Sequence, residues 1–106
     1  MNKYTELSDL EINKRVFVAA KIEHEDTDLH SNKVFYGDGA NWIEFNPCNN
    51  PSDVMPIIIE NGISIIKSSG GWMCYHGSVG KVEHENLYRG AMEVFLMIKD
   101  AENEKV

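Results

Sequence analysis

The run Ile63-Ser64-Ile65-Ile66-Lys67-Ser68-Ser69-Gly70-Gly71-Trp72-Met73-Cys74-Tyr75-His76 decides the fold class. Two stretches rich in β-branched and aromatic residues flank the turn formers 68–71, the length and composition of an antiparallel hairpin over 63–67 and 72–76. Alternation places Trp72, Cys74 and His76 on one face and Met73 and Tyr75 on the other. An antiparallel sheet of this kind is closed by helices laid on its faces.

Upstream, Trp42-Ile43-Glu44-Phe45 reads as a strand that Asn46-Pro47-Cys48-Asn49-Asn50-Pro51-Ser52-Asp53 halts before a helix over 52–61, ended by Gly62. Pro56 constrains that helix, because proline fits without loss only in the first turn. Either Ser52 or Asp53 caps it, or it starts at Pro51 and kinks. Downstream, 77–85 reads as a flexible connection and 87–99 as a helix with Leu87, Ala91, Val94, Phe95 and Ile98 on one stripe, widened by Met92 and Met97.

Near the start, Ser8 and Glu11 have the spacing of a capping box, and Ile12, Val16, Ala19 and Ala20 recur with helical period over 9–21. Residues 23–33 are acidic and aperiodic and read as an exposed loop. Val34-Phe35-Tyr36 and 42–45 around Gly37-Asp38-Gly39 suggest a loose hairpin, with 42–45 its firm strand. The expectation is one α+β domain over 1–106, a small antiparallel sheet covered by three helices in the order α-β-α-β-β-α, an α-β-α sandwich-like arrangement.

The 106 residues are 42% hydrophobic and 25% charged, which suits a folded globular domain. A net charge of -7 opposes broad contact with a nucleic-acid backbone. No apolar run is long enough to span a bilayer and the first residues are polar, so the expected place is the cytoplasm. There Cys48 and Cys74 are expected as reduced thiols.

Catalytic and metal motifs fail on spacing. Gly77-Ser78-Val79-Gly80-Lys81-Val82 has Tyr75 and Val82 where a phosphate loop needs glycine and a hydroxyl residue. His24-Glu25 and His84-Glu85 lack a second histidine four residues on, and Asp26-Thr27-Asp28 lacks the rest of a calcium loop. Cys74 and His76 share a strand face, yet nothing nearby marks an activated thiol, so buried apolar packing is the better account. No enzyme activity, metal or cofactor is expected.

The residues left for binding are the asparagines of 46–53 and Arg89. Loops between a strand and a helix display binding groups, and the Asn46, Asn49 and Asn50 amides can orient a planar polar ligand, although turn geometry uses the same residues. Arg89 falls in the first turn of the last helix, against the macrodipole. Either an internal bond to a loop carbonyl or to Asp53 holds it there, or it meets an anionic ligand.

Three blocks carry a resemblance: Tyr4 to Lys14, Phe45 to Asp53 with Pro56-Ile57-Ile58 and Glu60 to Ile65, and Arg89-Gly90-Ala91-Met92 with Val94-Phe95-Leu96. Together they resemble the NinX-like family of small bacteriophage and prophage proteins, which is similar to a wider phage α-β-α sandwich domain. The last helix departs from the family pattern Asn-Pro-Leu-Arg-Ala, reading Asn86-Leu87-Tyr88-Arg89-Gly90. The resemblance implies origin and fold and assigns no activity.

The expected function is a small phage-encoded, non-enzymatic accessory protein in the bacterial host cytoplasm, binding a host or phage partner. One version sequesters a small anionic nucleotide-like signal of host defence, with Arg89 on the anion, Trp42 or Trp72 for stacking and Asn46, Asn49 and Asn50 for orientation. The other is a protein-interaction module whose acidic surface occupies a basic host protein. Met92 and Met97, read as exposed, suggest a homodimer.

Overall fold

The computed structural model describes residues 2–22, 24, 26–29, 32–37 and 40–104. Its elements run α1 Asp9–Ala19, β1 Asp26–Asp28, β2 Val34–Gly37, β3 Trp42–Phe45, α2 Pro51–Glu60, β4 Ser64–Ser68, β5 Gly71–His76, β6 Gly80–His84 and α3 Leu87–Glu104. The strands form two separate antiparallel sheets, β1-β2-β3 and β4-β5-β6. The fold is α+β, but two three-stranded sheets replace the single sheet expected.

The helix ends follow local rules. Ser8 accepts from the Glu11 amide at 3.1 Å and Glu11 accepts from the Ser8 amide at 3.3 Å, so both halves of the capping box close. For α2 the cap is Asn50, one residue before Pro51, whose missing N–H costs nothing at the first helical position. Of the two alternatives the start at Pro51 holds and neither Ser52 nor Asp53 is the cap; Pro56 lies inside the helix on its exposed side. Gly62 at φ 64 ends it, with Ile63 donating to the Ile58 carbonyl and Gly62 to that of Ile59. Asn86 caps α3, accepting from the amides of Tyr88 and Arg89.

The other two helices pack on α3. On one side α3 packs against β5 and β6, elsewhere against α1 and α2, while α1 carries β2. Cys74 faces Ile65 and Val82 in the register of the second sheet, forming the apolar face that α3 covers. In the first sheet Phe17 of α1 meets the rings of Tyr36 and Phe45 at centroid distances of 5.6 and 5.5 Å. Each sheet has one apolar face and lays it on a different helix, the first on α1 and the second on α3.

Two segments without strand periodicity form strands that the sequence pattern leaves as loops. The acidic segment 23–33 supplies β1, whose Asp26, Thr27 and Asp28 pair with Gly37, Tyr36 and Phe35. The connection 77–85 supplies β6, where Val82 alone enters the core. Backbone pairing with an adjacent strand holds both, which a hydrophobic pattern does not reveal. Asp38 and Gly39 of the expected turn, and His30 of the acidic segment, lie outside the described residues.

Being central, α3 is buried almost all round from Arg89 to Leu96 rather than along one stripe. Met92 is fully enclosed and is no exposed methionine.

Candidate functional site

Arg89 projects from the first turn of α3 and is only 5% exposed. Its Nε donates to Glu93 Oε2 at 2.8 Å, one Nη to Asp9 Oδ1 at 2.7 Å, and the other Nη to the carbonyls of Tyr4 at 2.9 Å and Leu7 at 2.7 Å. Four of the five guanidinium N–H bonds are therefore spent within the chain. Burial works against its charge, yet the bonds to Asp9 and Glu93 leave it more firmly protonated than usual. The second oxygen of Glu93, a carboxylate 1% exposed, accepts from Asn2 at 3.0 Å.

The asparagine loop leads into the same cluster. Asn46 Oδ1 accepts from Asn13 at 2.9 Å and Asn49 at 3.1 Å, while the Asn46 amide donates to Asp53 at 2.8 Å. Asn49 also donates to the Asp9 oxygen that Arg89 leaves open, at 3.4 Å. Asn13 Oδ1 accepts from the Cys48 amide, and Asn86 donates to the Cys48 carbonyl at 2.8 Å. Asp9 thus joins Arg89 and Asn49, bringing three of the six expected binding residues together, each with partners inside the chain. Asn50 stands apart as the cap of α2, accepting from Ser52 at 3.0 Å.

The tryptophans occupy different sheets. Trp72, on β5, lies under the Lys67 ammonium at 4.9 Å, beside a cleft of about 380 Å³ formed by the turn 68–71 and residues 83–85. Trp42 begins β3, the edge of the first sheet, is 51% exposed, and lines a hollow of about 250 Å³ with Asp28 and Phe35. Ile43, next to it, is 50% exposed.

Both cysteines are free and buried. Burial, then the Asp9 charge, pushes the Cys48 thiol up to about 12; burial, then Glu93, pushes Cys74 up to about 11. Cys74 Sγ contacts the Leu87 carbonyl at 3.5 Å, whereas the His76 ring bonds Ser78. Among the described residues no group of three or more histidine, cysteine or acidic side chains is placed to hold a metal ion, and no helix is long and apolar enough to cross a membrane.

Sequence reasoning singled out Arg89 and the asparagines but missed Glu93, Asp9, Asn13 and Asn86. Glu93 had a usable signal: it stands four residues after Arg89 within an apolar run, where a carboxylate needs a cationic neighbour.

No curated protein and no solved structure matches the chain. The family described as Bacteriophage P22, NinX matches residues 3–99, spanning every element from α1 to most of α3. With that match over nearly the whole length, the chain belongs to the NinX family of bacteriophage proteins.

Proposed function

We propose that this NinX-family chain is a non-enzymatic phage accessory protein, acting in the cytoplasm of the bacterial host, that binds a host or phage protein through its surface. The observation that carries this reading is the pair Trp42 and Ile43: successive residues on an edge strand, pointing to opposite faces, each half exposed. A partner strand along β3 would cover both and would meet open backbone hydrogen-bonding groups. The net charge of -7 favours a basic partner.

Affinity capture from host lysate with the native chain and with a Trp42→Ser/Ile43→Ser variant tests it. One stoichiometric protein retained by the first and lost by the second supports the reading; the same retention by both defeats it.

Sequestration of a nucleotide-like defence signal is the second reading. The volume of a cleft of about 460 Å³, with Lys21 and Lys99 on its rim, favours it, while its place at the C-terminal ends of the helices, where the dipoles oppose an anion, does not. Against it, Glu60 and Glu102 share that rim, Arg89 is spent on internal partners, and Trp42 and Trp72 belong to separate sheets. Native mass spectrometry with cyclic and ADP-ribose-type nucleotides that finds a bound mass would restore it.

A further inference from the structure

Three surfaces offer themselves for binding. The cleft at the helix ends has two lysines balanced by two glutamates on its rim, which selects no ligand charge. The open face of the β4-β5-β6 sheet exposes Ile66 and Tyr75, but Lys81 and Glu83 pair there at 3.7 Å and leave it neutral. The open face of the β1-β2-β3 sheet differs in both shape and charge.

Register fixes what that face contains. Asp28, Phe35 and Glu44 lie side by side across the three strands, and so do Asp26, Gly37 and Trp42. Tyr36 and Phe45 occupy the opposite face, against Phe17 of α1. The outward face therefore presents two aromatic rings among three carboxylates. Gly37 contributes no side chain beside Trp42. Glu44 meets Lys33 only at 4.0 Å in an exposed pair, an interaction weak enough to exchange for another cation.

We propose that this face and the adjoining β3 edge seat an extended segment of a partner protein that places an arginine or lysine over Phe35 and Trp42. The proposal rests on the partner-binding reading and adds the chemistry of the occupant. An aromatic face attracts a cation through its quadrupole, and neighbouring carboxylates strengthen that attraction where the partner excludes water. In a strand added along β3, every second residue would point to this face, about 7 Å apart, so alternating basic residues fit. A second copy of the chain is disfavoured as occupant, because it would bring the same carboxylates against these.

The test titrates the full chain with a blocked hexapeptide of alternating arginine and valine, and with the same peptide carrying neutral citrulline, by calorimetry and amide chemical-shift mapping. Expected are binding of the arginine peptide with shifts along β2 and β3, about tenfold weaker binding for Trp42→Ala, and a reduced salt dependence for Asp28→Asn/Glu44→Gln. Thermal unfolding of each variant shows whether the fold is intact, and Trp42→Phe, which keeps a ring, should retain most of the affinity.

Equal affinity for the citrulline peptide, binding of neither peptide, or folded variants that bind like the native chain would overturn the inference. If lysate capture still depends on Trp42 while neither peptide binds, the cation seat falls and the partner-binding reading stands. If the arginine peptide binds but no protein is retained, the cation seat stands and the captured-partner reading falls.

Discussion

Nε of Arg89 lies 2.8 Å from Oε2 of Glu93, one helical turn further along α3, and both side chains are almost completely buried. The pair would be a poor bargain on its own, since desolvating two charges offsets much of their attraction. Here the guanidinium also ties the carbonyls of Tyr4 and Leu7 and the carboxylate of Asp9 to α3. It locks the segment before α1 onto the central helix.

Removing one partner of this pair should therefore be costly. Arg89→Ala leaves Glu93 charged in the core and orphans two carbonyls, and is expected to lower stability by about 3–5 kcal/mol in urea unfolding. Replacing both members, Arg89→Met/Glu93→Leu, removes the stranded charge and should recover part of that loss. A single variant as stable as the native chain would show that the network does not hold the N-terminal segment.

Gly90, the next residue, is tied to the second sheet. A Cβ there would stand 3.0 Å from Cys74 Sγ and 3.2 Å from His84 Cβ, so α3 approaches β5 and β6 closely. Alanine improves helix propensity by about 1 kcal/mol, which the crowding should cancel or exceed. In a Cys74→Ala background the sulfur contact is gone while the close approach to His84 Cβ remains, so Gly90→Ala should cost less there than in the native chain. A double-mutant cycle in thermal unfolding should give a coupling of about 1 kcal/mol; strictly additive effects would refute the contact.

What the sequence makes legible divides along physical lines. Ser8 with Glu11, Gly62, and the hairpin from Ser64 to His76 declared themselves, because capping, left-handed termination and tight turns depend on a few neighbouring residues. The strands β1 and β6 did not, since Asp26-Thr27-Asp28 is wholly polar and Gly80 to His84 has a single apolar side chain, so their pairing is set by adjacent strands. Arg89 stood out by its charge at a helix start. Its partners Tyr4, Leu7 and Asp9 are more than seventy residues away in the chain, and only the packing of α1 on α3 brings them within reach.

The thiols should be silent in the folded protein. With Cys48 pushed up to about 12 and Cys74 to about 11, thiolate is scarce near neutrality, and burial closes the approach to both. Iodoacetamide at pH 8 is expected to label neither in native buffer and both in urea. Rapid native labelling at either position would overturn their assignment as packed core groups.

The same shifts have a sign in alkaline unfolding. A folded thiol held above its ordinary value of 9.0 keeps a proton that the unfolded chain releases, so its stabilising contribution is complete below about pH 9 and is lost as pH rises through the folded values. Burial and the hydrogen bond to Asp100 raise Tyr4 as well, adding in the same direction. Urea midpoints should fall steadily from pH 9 towards 11. Cys48→Ala/Cys74→Ala, although less stable at neutral pH from lost packing, should show a shallower decline; an identical slope would remove the thiols from the explanation.

Lys21 offers a change in the opposite sense. It follows the Ala20 cap of α1 at φ 54, the left-handed conformation that glycine adopts without the steric cost of a Cβ. Its amide donates to the Val18 carbonyl to close the helix, a bond glycine would keep. Lys21→Gly should relieve about 1 kcal/mol of backbone cost, partly offset by the freer unfolded chain, and raise the melting temperature by a few degrees. A lower melting temperature would mean that the Lys21 side chain contributes more to the cleft between α1, α2 and α3 than its exposure implies. That same variant tests the second functional reading, because a nucleotide held in this cleft would lose one of its two rim cations and bind more weakly, whereas the seat proposed at Trp42 would be unaffected.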